Sequence, residues 1–167
     1  MSKRDRKIEV IKKYIGSAAK NWSAYSYGSI PRTLANNACQ SYAGAISAED
    51  ILGLIDITIS GNGKKGMVFT EYKIYYDNGI MGSRGAVSYK KMYENGTIPG
   101  EILDSFYNTA ALKEMINKLV NIEGQTIHDD IKDAENMLDS LVQGVEEISA
   151  TIEKGKELFG AISSLFK

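Results

Sequence analysis

The chain has 167 residues, 43% of them hydrophobic and 25% charged, which suits one domain with an appendage and excludes wholesale disorder. One cysteine, Cys39, and one histidine, His128, exclude a disulfide framework, a cysteine-based zinc site and a His-rich metal centre, and argue against a Ser-His-Asp triad. The net charge of −1 conceals an asymmetry: residues 1–20 carry seven Lys and Arg against two acids, and residues 121–167 carry four Lys against ten carboxylates, so a basic head and an acidic tail attract each other within one chain or between copies.

In chain order, Ile8, Ile11 and Ile15 share one helical face, and the spacing predicts a helix over 4–20. The stretch from Trp22 to Gly28 reads as a loop. Ser29 and Pro31 open a second helix with Leu34, Ala38, Tyr42 and Ala45 on one face and Cys39 as a small buried group. Over 51–60 the period changes to two. A strand is expected there, with Ile51, Ile55, Ile57 and Ile59 on one side, buried on both sides at its start. Gly61 to Gly66 is a turn, and Met67 to Tyr76 a strand region that Thr70 to Lys73 interrupt. Asp77-Asn78-Gly79 is a hairpin signal, Ala86 to Tyr89 a further strand, and Asn95-Gly96 a turn. Ile98 to Phe106 reads as one more short strand, which Pro99 places at an edge. The centre is therefore expected to be a meander of short antiparallel strands.

From Asn108 or Thr109 the period returns to 3.6, with Leu112, Met115, Ile116, Leu119 and Val120 on one face and a break expected at Glu123-Gly124-Gln125. The last segment is the most regular. Ile127, Ile131, Ala134, Leu138, Leu141, Val145, Ile148, Ile152, Phe159, Ile162 and Phe166 follow alternating steps of four and three, with Gly155 in the remaining slot. Met137, Leu158 and Leu165 widen one flank and Val142 the other, a breadth that suits a multi-helix contact. Such a stripe must be covered. Self-association through Ile131, Leu138, Leu141, Val145, Ile148, Ile152, Phe159 and Ile162 is the expectation, and a helical hairpin bent near Gly144 or Gly155 the alternative.

Gly61-Asn62-Gly63-Lys64-Lys65-Gly66 matches the GxGxxG pattern, yet a β-branched and aromatic strand comes next, where a dinucleotide site needs a helix N-terminus. Met67 and Val68 stand where a phosphate-binding loop requires Lys and Ser or Thr. The glycines are read as turn residues. Gly63, Lys64, Lys65 and, nearby in sequence, Lys73 make the candidate loop for an anionic ligand or a partner; otherwise the lysines keep a sheet edge soluble. Asp56, inside an apolar strand, is expected to bond turn amides or Thr70, and His128 to face solvent or cap a helix. The many tyrosines read as half-buried sheet residues, and with a balanced middle charge no nucleic-acid partner is expected. No catalytic residue, metal or cofactor is assigned.

The run Leu52-Gly53-Leu54-Ile55-Asp56-Ile57-Thr58, the Gly63-Lys64-Lys65-Gly66 hairpin, Phe69-Thr70, Ile74-Tyr75-Tyr76 and Val87-Ser88-Tyr89 together resemble bacterial PH-like (pleckstrin-homology- and GRAM-like) domains over about residues 37–120. The resemblance implies a curved antiparallel sheet or partial barrel plugged by a helix, in an interaction module that is not an enzyme. The short stretch between Lys91 and Asn108 leaves room for fewer strands than a closed barrel needs. The expectation is thus an α+β chain. N-terminal helices (1–48) precede a small PH-like sheet with its closing helix (49–122), and a long C-terminal helical arm (123–167) completes it. Its expected role is non-enzymatic scaffolding, with itself and a further protein as partners. The alternatives are peripheral binding of anionic membrane lipids, with Lys64 and Lys65 at headgroups and Leu158 to Phe166 in the interface, and a nucleotide-using enzyme resting on the glycine loop. With no export signal or membrane-length apolar run, a cytoplasmic protein is expected, with the inner face of the membrane as an alternative place.

Overall fold

The computed structural model describes residues 1–166. Helix α1 (Lys3–Ala18) starts at a capping box, in which the Ser2 hydroxyl accepts the Asp5 N–H and the Asp5 carboxylate accepts the Ser2 N–H. Its Ile8, Ile11 and Ile15 are buried, as their spacing predicts, and Ala18 is buried with them. The expected loop at Trp22 to Gly28 instead contains a strand, β1 (Ser23–Ser26). Its sequence, Ser-Ala-Tyr-Ser, carries no apolar alternation, and its pairing partner is remote: Ser23 lies opposite Asp56 and Ser26 opposite Gly53. Helix α2 (Arg32–Ser41) begins after Pro31 and not at Ser29, whose hydroxyl is spent closing the preceding turn onto the Ser26 carbonyl. Leu34, Ala38 and Tyr42 are buried as expected; Ala45 lies past the helix end and is exposed, and Cys39 is half-buried.

Strands β2 (Gly53–Asp56), β3 (Gly66–Phe69), β4 (Lys73–Asp77) and β5 (Arg84–Ser88) continue from β1 in one antiparallel meander, in the order of the chain. The sheet is open, with β1 and β5 as its edges. Both faces of its middle are covered. Ile55, Met67, Phe69, Ile74 and Tyr76 pack with α1 and the later helices; Leu54, Val68 and Tyr75 pack with α2. Gly53 lets α1 approach β2, because a Cβ there would stand 2.6 Å from the Ile11 side chain. The expected alternation across 51–60 holds from Leu54 to Ile57, with Ile55 and Ile57 buried together on the α1 side and Leu54 on the α2 side. Ile51 packs on the α2 side, opposite to Ile55, and Ile59 is fully exposed, because regular pairing stops at Asp56.

The strand expected over 98–106 is absent. The chain leaves β5 into a short helix, α3 (Tyr89–Asn95), for which Ser88 caps by accepting the Lys91 N–H. Gly96 ends it in the left-handed region at φ 66°. A single 3₁₀ turn at Gly100–Ile102 then buries Ile102. Helix α4 (Thr109–Leu165) starts at Asn108, which accepts the Ala111 N–H. It runs through 123–125 without the expected break, and through Gly144 and Gly155, so the C-terminal segment is one helix and not a hairpin. Residues Met1–Thr126 form one compact unit, and the chain from Ile127 onward forms a second. The architecture is α+β.

Candidate functional site

The glycine loop is built on Asp56, which is buried at the end of β2. Its Oδ1 accepts the Thr58 N–H at 2.9 Å and the Thr58 hydroxyl at 2.6 Å, and its Oδ2 accepts the Gly63 N–H at 3.0 Å. Thr58 Oγ1 in turn accepts the Asn62 N–H, and Asn62 Oδ1 accepts the Lys64 N–H. Asn37 on α2 ties the loop down through the Asn62 carbonyl at 2.8 Å. Gly63 adopts φ +71° and packs so closely on α2 that a Cβ would lie 2.9 Å from the Leu34 carbonyl oxygen. The amides of Thr58, Asn62, Gly63 and Lys64 are therefore engaged within the loop. A carboxylate sits where a phosphate cradle would offer free N–H groups. The turn-amide role expected for Asp56 is what the hydrogen bonds describe.

The second loop at this end of the sheet joins β4 to β5. Asp77 accepts the Gly79 N–H, and the Asn78 N–H reaches across to the Ser83 carbonyl. Asn78 is fully buried; its Oδ1 accepts the Tyr107 hydroxyl at 2.9 Å and its Nδ2 donates to the Glu101 carbonyl. Burial pushes the Tyr107 hydroxyl well above its usual pKa. The register Asp56, Gly66, Asp77, Arg84 puts both loops at the same end of the sheet, and the Lys65 side chain reaches the neighbourhood of Gly79. Together they carry Lys64 and Lys65 beside three exposed apolar side chains, Ile59, Ile80 and Met81, each more than 90% exposed. Lys73 does not join them. It opens β4 opposite Ser88, at the other end of the strand, because sequence proximity across a hairpin becomes a strand's length in space.

The apolar tip escaped the sequence-based expectations. Its signal was present in Ile80-Met81, two large apolar residues directly after a turn dipeptide. Also unforeseen is a charged cluster in the core. Lys7 is fully buried on α1; its Nζ bonds Glu123 on α4 at 2.6 Å and the Glu71 carbonyl, and stands 4.1 Å from the Tyr89 ring centroid. Lys3 adds a second contact to Glu123 at 3.2 Å. Burial works to raise the Glu123 pKa, yet the two ammonium groups outweigh it and hold the carboxyl below its usual value; burial pulls the Lys7 ammonium below its own. The cluster joins the two ends of unit 1.

On the chain from Ile127 onward, the residues expected to carry self-association lie along one helix with exposures between 45% for Ile162 and 74% for Phe159. Ile131, Leu138, Leu141, Val145, Ile148 and Ile152 fall between these values. His128 is exposed. Among the described residues no group of three or more His, Cys, Asp or Glu is placed to hold a metal ion, and no helix is long and apolar enough to cross a membrane. Compared with models of protein families, with curated proteins and with solved structures, the chain has no match in any of the three.

Proposed function

We propose that this protein is a non-catalytic interaction or scaffolding module of PH-like type, which self-associates through α4 from Ile127 onward. The observation that carries this reading is the exposed heptad stripe, sustained over more than five repeats on one uninterrupted helix. An apolar stripe of that length in water is covered by another chain or drives aggregation. The engaged amides of the glycine loop support a turn and not a nucleotide site. Light scattering across a concentration series tests the reading: assembly of the intact chain, lost on replacing Val145 and Ile148 with Glu, agrees with it. A monomer at every concentration refutes it.

A second reading, peripheral binding to anionic lipid, rests on Ile59, Ile80 and Met81 beside Lys64 and Lys65. Apolar tips flanked by lysine suit an anionic interface. Sedimentation with vesicles of phosphatidylglycerol and phosphatidylcholine is the measurement. Co-pelleting at low salt that Ile80→Asp/Met81→Asp removes agrees with the reading, and no pelleting discards it. The place proposed with both readings is the cytoplasm, for the second at the inner face of the membrane.

A further inference from the structure

Resting on the self-association reading, we propose that the occupant of the α4 stripe is a second copy of this chain running antiparallel, with Ile131 of one copy level with Ile162 of the other. Three observations on the helix from Ile127 onward select this arrangement. The first is volume. Two of the inward positions carry small residues, Ala134 and Gly155, whereas the rest carry large ones. A parallel, in-register pair sets each residue against its own copy, so Gly155 meets Gly155 and Ala134 meets Ala134, and two layers of the core are left hollow. In the antiparallel register named, Gly155 faces Leu138 and Ala134 faces Phe159, the largest side chain of the stripe against one of the smallest. Each small residue then makes room for a large one, and every layer from Ile127 to Phe166 is filled.

The second observation is charge. Glu135 and Lys156 occupy equivalent flanking positions, a whole number of heptads apart, and both are exposed. In the antiparallel register they meet across the interface, twice by symmetry. In the parallel pair Glu135 meets Asp130, an acid against an acid, also twice. A slip of one heptad in either direction moves Glu135 onto Ser149 or Ser163 and leaves two core residues of each copy unpaired, Ile127 and Ile131 or Ile162 and Phe166. The third is the width of the stripe. Met137 and Leu158, exposed on the opposite flank from Glu135, become cross-chain neighbours in the same register, so two of the four residues that widen the stripe cover each other between two helices.

The test uses the full chain with Cys39→Ser as background. Ala134→Cys and Phe159→Cys are made singly and together and oxidised under dilute conditions. The antiparallel pair is expected to give a covalent dimer for the double variant and none for either single one, because two copies of position 134 then lie near opposite ends of the overlap. Cross-linking of Ala134→Cys alone overturns the orientation while leaving self-association standing. Absence of assembly by light scattering in the unmutated chain overturns both. A charge exchange gives an independent reading: Glu135→Lys and Lys156→Glu each weaken dimerisation by about fivefold, the scale of two exposed ion pairs lost. The double exchange is expected to restore it to within about twofold. A double exchange as weak as the two losses combined rejects the register.

Discussion

At the scale of single residues, buried charge is what organises unit 1. Asp56 has little freedom, since three donors converge on its two oxygens and one of them, the Gly63 N–H, is buried. Asp56→Ala leaves those donors without partners, and a loss of about 2–3 kcal/mol is expected, read as a lower urea midpoint at unchanged slope. The Lys7–Glu123 pair makes a pH-dependent contribution. Because the folded Glu123 carboxyl is held below its ordinary value of 4.5, its stabilisation is complete above that value and is lost as the pH falls through the lower folded pKa. Lys7 has the opposite linkage. Its folded pKa lies below 10.5, so its charge opposes folding at neutral pH and that opposition fades as the pH rises through the folded value. Urea midpoints measured from pH 7 downward should therefore fall below about pH 4.5 in the native chain. Glu123→Gln should be weaker at neutral pH by about 3 kcal/mol, since it strands a buried ammonium, and should flatten the acid slope. The sequence exposed the Asp56 role because a lone carboxylate among apolar residues has to find partners nearby. It concealed Lys7–Glu123 because the two residues are 116 positions apart and each reads locally as one more charge on an amphipathic helix.

At the scale of elements, the long periodic segments were legible and the short ones were not. Helices α1 and α4 repeat a spacing often enough for the pattern to stand out, and β2 to β4 stand out as β-branched and aromatic runs between turn signals. β1 has four residues and borrows its conformation from β2, so nothing within Ser23–Ser26 announces a strand. At Tyr89–Asn95 the Ser88 cap and the Gly96 terminator are both readable, yet Tyr89 directly follows the strand residues Ala86 to Ser88 and reads as their continuation. The regularity of α4 has a local weakness at Gly160, which adds backbone freedom and meets nothing within 4 Å. Gly160→Ala is expected to stabilise that last stretch by about 1 kcal/mol without touching the apolar stripe, detectable as increased helicity by circular dichroism and as slower amide exchange after Lys156.

For the whole molecule, the charge asymmetry resolves into two different things. Of the ten carboxylates in 121–167, Glu123 alone meets Lys3 and Lys7 within unit 1. The other nine lie on the chain from Ile127 onward, flanking the apolar stripe. A chain ending at Thr126 keeps Glu123, both hydrophobic clusters and the entire sheet. Such a chain is expected to unfold cooperatively in urea, with a midpoint close to that of unit 1 in the full protein, and to be monomeric in light scattering. A truncated chain that is unfolded would mean that unit 1 depends on the helix beyond Thr126.

By itself the sequence determined the class of the molecule. The change of apolar period from 3.6 to 2 and back dictates helix, meander and helix, and the unbroken heptad dictates a helix with one apolar stripe, because side-chain direction follows directly from backbone period. Tertiary structure alone decided which charges are buried, where β1 pairs, which turn loops share one end of the sheet and that Lys73 is not among them. Those outcomes depend on contacts between residues far apart in the chain, and the energy of burying an ion or completing a sheet edge is realised only once the distant partner has arrived.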